Sequence, residues 1–150
     1  MLNMLTDVFV SFQKHDVKYV IIGGIAAVLY GVPRATFDLD ILIEATPGNT
    51  KSLLDALLEA KFGTAALITA EQLLTNEITI FKDRVRIDVQ TATPGLDFKS
   101  AWRNRETMTY HHHEFFVVSK VDLIASKQAA GRPVDLEDVR LLKLNNQDIM

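Results

Sequence analysis

The sequence of 150 residues contains no cysteine. It therefore cannot form a disulfide, a zinc–thiolate site or a thiol nucleophile. No apolar run reaches the roughly 20 residues that a bilayer-spanning helix needs. The N-terminus lacks the basic start and cleavage site of a signal peptide, because Asp7 interrupts its short amphipathic pattern. These absences lead us to expect a cytoplasmic protein that makes no use of a membrane.

A surplus of charge of either sign is also missing. The formal net charge is -3, so nothing attracts the whole chain to nucleic acid or to an anionic membrane, and any anion site must be local. The apolar fraction of 48% is typical of a globular chain and not of a disordered one. At this length we expect residues 1–150 to form a single domain.

The hydrophobic pattern predicts helices and strands that are mixed along the chain. Helical spacing or composition predicts helices at 2–14, at 25–30, from Thr50 to Phe62 after a turn at 47–49, and at 70–74, 98–102, 120–130 and 135–144. Runs rich in β-formers predict strands at 18–22, 37–43, 77–81, 85–90, 107–110 and 114–118. The predicted fold class is α/β (α+β), with a mixed β-sheet flanked by helices.

Two aspartates lie one residue apart inside an apolar run, as Asp38-Leu39-Asp40. Because side chains alternate along a strand, both carboxylates would lie on one face, where they repel each other unless a cation lies between them. Asp88 lies between Ile87 and Val89 in a later predicted strand. If the two strands are neighbours, three carboxylates converge and would suit a pair of magnesium ions. Each aspartate taken alone would be a solvated strand residue.

A glycine pair, Gly23-Gly24, follows the apolar run at 18–22. Without side chains it would let a phosphate chain approach the backbone, and a helix starting at Ile25 would offer free N–H groups to that anion. The alternative is a simple turn between a strand and a helix. No third glycine follows at the right spacing and no Gly-Lys-Ser/Thr occurs, which excludes a Rossmann fingerprint and a P-loop.

Gly23-Gly24, thirteen intervening residues, Asp38-Leu39-Asp40 and later Ile87-Asp88-Val89 follow one another in this order. This pattern resembles the nucleotidyltransferase superfamily with the DNA polymerase β fold. The run from Arg34 to Asp40 looks most like small stand-alone members related to type IV toxin–antitoxin nucleotidyltransferase toxins and to minimal nucleotidyltransferases. The segment 122–127, followed by Arg132, Asp135 and Asp138, also resembles that group, although these last three would more readily form a network at a helix start than a site.

The resemblance implies that Asp38 and Asp40 ligate two Mg²⁺ ions, with Mn²⁺ as the alternative ion. Asp88 would bind the second ion and favour deprotonation of the acceptor hydroxyl. The implied nucleotide-binding residues are Gly23, Gly24, Arg34, Thr36 and Lys127. From the residues alone, an ordinary loop arginine at 34 and a solvated helix lysine at 127 are open alternatives.

The implied activity moves a nucleoside monophosphate from an NTP, such as ATP, to a hydroxyl and releases pyrophosphate. The acceptor would be an RNA 3′ end, as in tRNA, a protein side chain or a small molecule. So short a chain would hold it in a shallow cleft, with a second copy, or with a partner such as an antitoxin. The rival hypotheses are a partner-regulated or non-catalytic nucleotide-binding module, and a sugar-nucleotide glycosyltransferase that would leave Gly23-Gly24 and Asp88 unexplained.

Two other groups admit a functional interpretation. His111 and His113 would share a strand face and could bind a metal or lie near the acceptor. No third ligand lies nearby at suitable spacing, which favours an ordinary exposed edge strand. Trp102, with Arg103 and Arg105 beside it, would either stack on a base or pack as an ordinary aromatic side chain.

Overall fold

The computed structural model describes residues 2–149, with side-chain detail for residues 2–144. Met1 and Met150, the two ends of the expected single domain, lie outside the described residues. The helices are α1 (Thr6–Lys14), α2 (Gly23–Leu29), α3 (Pro47–Glu59), α4 (Ala70–Thr75), α5 (Phe98–Arg103), α6 (Lys120–Ala130) and α7 (Pro133–Ile149). The strands are β1 (Tyr19–Ile22), β2 (Asp38–Ile43), β3 (Ile78–Lys82), β4 (Arg86–Gln90), β5 (Glu106–Tyr110) and β6 (His113–Val117).

All six of these strands form one mixed sheet in the order β3-β4-β2-β1-β6-β5. The β2–β4 and β1–β6 pairs are parallel, and the β1–β2, β3–β4 and β5–β6 pairs are antiparallel. The predicted class, a mixed α/β (α+β) sheet flanked by helices, is confirmed. None of the helices in the described part of the chain combines the length and hydropathy needed to span a bilayer.

Strand alternation divides β2 and β4 into a buried apolar face and a polar face. Leu39, Ile41, Ile87 and Val89 have no exposed surface, whereas the aspartates between them keep some. The apolar core continues into the helices, where Phe9 of α1 stacks on a β6 phenylalanine with ring centroids 4.7 Å apart. Burial of these side chains holds the sheet rigid under its polar face.

Helix α3 begins earlier than the sequence suggested. The predicted turn at 47–49 and the predicted cap at Thr50 are wrong, because Pro47 occupies the first helical turn, where its missing N–H costs nothing. The hydroxyl of Thr46 caps the helix by accepting the N–H of Asn49 at 3.2 Å. The Asn49 amide in turn donates to the carbonyls of Lys18 and Glu44, at 3.0 and 2.9 Å, which ties the helix start to the ends of β1 and β2.

The histidine run forms a turn and not a continuous strand. His111 and His112 connect β5 to β6 with φ values of 49° and 68°, and only His113 lies in a strand. The expectation that His111 and His113 share a strand face is therefore wrong. Trp102 packs as an ordinary aromatic, since its ring meets Phe116 edge-on at 5.2 Å and the guanidinium of Arg105 lies 3.7 Å from the ring centroid.

Candidate active site

The sheet register places three carboxylates on the polar face. Asp40 of β2 pairs with Asp88 of β4, and Ile22, the last residue of β1, pairs with Asp40 from the other side. Residues paired across a sheet point to the same face, and so do residues two apart on one strand. Asp38, two residues before Asp40, therefore lies on this face too. The two predicted strands are direct neighbours.

Asp40 is the carboxylate most altered by its surroundings. Burial raises its pKa from 3.8 to about 7, and the nearby carboxylates of Asp88 and Asp38 add to the rise. Gly23 makes room for this side chain, because a Cβ at that position would lie 2.5 Å from Oδ2 of Asp40. Gly23 also has a φ of +69°, which strains any other residue.

Arg86 is a residue of this face that the sequence reasoning missed. Its Nε donates to Oδ1 of Asp88 at 2.8 Å, its Nη2 donates to Oδ2 at 3.1 Å, and its Nε lies 3.8 Å from Oδ2 of Asp38. The signal was present in the sequence, since Arg86-Ile87-Asp88 has the same spacing as Asp38-Leu39-Asp40. Strand alternation alone puts Arg86 on the face of Asp88.

The donor chemistry of this cluster fits a divalent cation. Three carboxylates on one face, one of them with its pKa raised towards neutrality, and a glycine that leaves open space beside it are what a hard cation would use. As they stand, however, no three His, Cys, Asp or Glu side chains among residues 2–144 are arranged to hold a metal ion. The Arg86 guanidinium occupies both oxygens of Asp88.

Gly24 lines the same cleft as the carboxylates. A Cβ there would lie 2.9 Å from Oγ1 of Thr36 and 3.1 Å from Nη2 of Arg34, so both side chains close directly over the glycine. Helix α2 begins at Gly23, two residues before the predicted start at Ile25. The glycine pair thus brings the backbone close to Arg34, Thr36 and Asp40.

Lys127 of α6 and Arg34 converge on one buried carboxylate. Lys127 Nζ lies 2.8 Å from Oδ2 of Asp138, and Arg34 donates to both oxygens of Asp138 at 3.1 and 2.9 Å. The Asp138 side chain is 1% exposed. Although burial alone would raise its pKa, the hydrogen bonds from Arg34 and Lys127 hold that pKa below the usual value. The alternative of a solvated lysine is therefore wrong, whereas Arg34 does lie in a loop and its role in binding stays a prediction.

A second pair supports this network from the start of α7. The Nε of Arg132 donates to Oδ2 of Asp135 at 2.7 Å, and its backbone N–H donates to the same oxygen at 3.2 Å. Lys127 Nζ lies 3.7 Å from Oδ1 of Asp135. The expected network of Arg132, Asp135 and Asp138 at a helix start is present in the structure.

Most of these residues line a cleft of about 460 Å³. Its lining includes the carboxylates of β2 and β4 and the cations Arg34, Lys127 and Arg132. Thr36 does not line the cleft itself, but it packs against Gly24, which does. The predicted site residues that line it are Gly23, Gly24, Arg34, Asp38, Asp40, Asp88 and Lys127.

Comparison with known families gives one relationship. The model of a family described as "Nucleotidyltransferase of unknown function (DUF6036)" matches residues 2–148. The comparison with curated proteins found no match. The family match includes every residue of the cleft.

Proposed function

The chain belongs to the DUF6036 family of nucleotidyltransferases, and from this premise we propose that it moves a nucleoside monophosphate from an NTP to a hydroxyl and releases pyrophosphate. One observation carries the proposal. The Asp40–Asp88 pair, Gly23-Gly24 and the paired cations Arg34 and Lys127 line one cleft. Carboxylates and fixed cations in one cleft are the two groups that a metal-bound triphosphate needs.

Asp38, Asp40 and Asp88 would hold Mg²⁺ or Mn²⁺. A bound divalent ion supplies charge neutralisation at the phosphates and lowers the pKa of the attacking hydroxyl. The raised pKa of Asp40 supports this assignment, because a cation would remove the repulsion that contributes to it. Asp38 and Asp40 lie on β2, whereas Asp88 lies on β4, next to β3. Asp88 would therefore be the carboxylate nearest an acceptor hydroxyl that approaches from β3.

Gly23-Gly24 would admit the triphosphate against the backbone, with Thr36 and Arg34 beside it. Arg34 and Lys127 would meet phosphate oxygens from fixed positions, because Asp138 already orients both of them. Their orientation is established before the nucleotide arrives, so little side-chain entropy is lost on binding. This preorganisation supports a role for α6 and α7 in holding the leaving pyrophosphate.

The acceptor would be an RNA 3′ end, a protein side chain or a small molecule. An antitoxin-type partner or a second copy that completes the acceptor site is an expectation that rests on the sequence resemblance. We expect the acceptor to approach over β3, because Lys127 stands on α6 and Arg34 is held by α7, and in-line displacement puts nucleophile and leaving group on opposite sides.

The test is a transfer assay with each α-³²P-labelled NTP, Mg²⁺, and total cellular RNA or protein as acceptor. We expect label to appear in one acceptor class, with pyrophosphate released in equal amount. Asp40→Asn and Asp38→Asn should lose this transfer by at least 100-fold. Asp55→Asn is the matched control, because Asp55 is an exposed aspartate on α3 that pairs with the exposed Lys51.

Label transfer that survives both substitutions would refute the site assignment. Magnesium-dependent NTP binding with no pyrophosphate release from any acceptor would favour the nucleotide-binding module instead. Release of UDP from a UDP-sugar would favour the glycosyltransferase.

A further inference from the structure

Arg86 is the arginine that contacts the carboxylate row, which consists of Asp38, Asp40 and Asp88. It lies directly opposite Asp38 in the register and two residues before Asp88 on the same strand. Its Nε and Nη2 donate to the two oxygens of Asp88, and its Nε also approaches Asp38. The other arginines around the cleft, Arg34 and Arg132, bind Asp138 and Asp135, which are not members of the row.

The guanidinium and a divalent ion need the same oxygens. A guanidinium that donates to both oxygens of a carboxylate, as a planar fork, occupies the directions from which a metal ion would approach those oxygens. A cation of charge +2 is also repelled by a guanidinium that lies beside two of its ligands. Arg86 and a metal ion therefore compete for Asp88.

The Arg86 side chain also has room to move away from Asp88. Its side chain is 39% exposed, compared with 14% for Asp88, so a guanidinium displaced from Asp88 can be hydrated without unfolding the strand. By contrast, the Asp138 and Asp135 carboxylates that hold Arg34 and Arg132 are 1% and 3% exposed. Of these three arginines, Arg86 is the one whose carboxylate partner is most exposed to solvent.

We infer that Arg86 is a built-in counter-cation, which holds Asp88 while no divalent ion is bound and is displaced from it when one binds. Arg86 therefore weakens metal affinity and offsets part of the negative charge of the carboxylate row between turnovers. This inference rests on the proposed metal-dependent function and goes beyond it. It proposes that Arg86, which is not a metal ligand, controls when the three carboxylates are available to a metal ion.

The test measures Mn²⁺ binding without nucleotide, by the electron paramagnetic resonance signal of free Mn²⁺ at pH 8. We expect Arg86→Met to bind Mn²⁺ on the order of tenfold more tightly than the wild type, since it removes both the charge and the fork. Arg86→Lys keeps the charge without the fork and should bind a few-fold more tightly. Arg140→Met is the matched control, because Arg140 makes a similar fork to Glu137 on an exposed helix surface.

A Kd for Arg86→Met that equals or exceeds the wild-type Kd would overturn the inference. If those two proteins bind equally and Asp40→Asn does not bind, the inference fails while the metal site of the proposed function stands. If none of the proteins binds Mn²⁺, the inference fails, and the proposed function is decided by the transfer assay, in which the ion enters with the NTP. If Arg86→Met does not fold in the absence of metal, the order of Arg86→Lys and wild type decides, and an equal or weaker Arg86→Lys overturns the inference.

Discussion

Asp40 and Asp88 lie opposite each other on neighbouring parallel strands, in a position where burial and then the Asp88 charge raise the pKa of Asp40 to about 7. The ordinary pKa of this group is 3.8. Between these values the folded chain holds a proton on Asp40 that the unfolded chain has lost. The contribution of Asp40 to stability therefore falls as pH rises through this window.

The first prediction is that Asp40→Asn removes this fall in stability. Below about pH 4 the aspartate is protonated in both states, so wild type and variant should differ little. At pH 8 the variant should be more stable by on the order of 2–4 kcal/mol, because it no longer buries a repelled charge. Urea unfolding at pH 4, 6 and 8 measures the difference. Parallel stability curves for the two proteins would contradict the prediction, and Asp55→Asn should follow the wild type.

The second prediction concerns metal and pH together. A divalent ion needs Asp40 ionised, and Asp40 is largely protonated below about pH 7. Adding 1 mM Mn²⁺ should therefore raise the melting temperature at pH 8 more than at pH 5.5, and chelation should reverse the rise. Asp40→Asn should show little rise at either pH. A shift of the same size at both pH values would place the binding of Mn²⁺ elsewhere.

The third prediction tests the space beside Asp40. Gly23→Ala puts a Cβ 2.5 Å from the Asp40 carboxylate and forces alanine to a φ of +69°. We expect a loss of at least about 2 kcal/mol in unfolding free energy, because backbone strain and the clash add together. Gly48→Ala is the matched control, since a Cβ there meets nothing within 4 Å and its φ is unstrained. Equal midpoints for the two variants in urea would contradict the prediction.

The fourth prediction concerns the carboxylate that holds the two cations. Asp138→Asn leaves Arg34 without its buried counter-charge and leaves Lys127 with the more distant Asp135, so we expect about 3 kcal/mol of destabilisation and weaker NTP binding. Glu137→Gln removes a carboxylate that pairs with Arg140 on the exposed surface of the same helix, and it should leave both properties unchanged. Urea unfolding and equilibrium binding of a fluorescent ATP analogue separate the two variants. An Asp138→Asn variant that matches Glu137→Gln would contradict the role of the network.

Local patterns predicted much of the fold, because strand alternation and helical spacing are properties of short segments. The Asp38-Leu39-Asp40 run lies in a strand with the leucine buried, as the alternation required. The start of α3 was missed although Thr46-Pro47 carries both a cap residue and a proline suited to the first turn. The turn at His111-His112 was missed because two adjacent histidines with positive φ have no sequence signature.

The arrangement of charges around the site could be predicted only in part. Side-chain alternation along β4 predicts that Arg86 lies on the same face as Asp88. Which carboxylate Arg86 binds depends on side-chain geometry, which the alternation does not fix. The burial of Lys127 depends on how α6 packs against α7, since its partner Asp138 lies on the second helix. No short segment of sequence encodes that packing. The metal ligands and the nucleotide contacts stay predictions.

The order of the strands in the sheet has a consequence for the protein during its synthesis. Asp38 and Asp40 leave the ribosome about fifty residues before Asp88, and Arg34 precedes its partner Asp138 by 104 residues. A nascent chain that has not yet paired β4 with β2 carries an acidic doublet with neither Asp88 nor Arg86 beside it. A chain that stops before α7 lacks the carboxylate that orients its cations. A chain that ends before Asp138 therefore cannot assemble the complete cleft, and we expect it to lack the proposed activity.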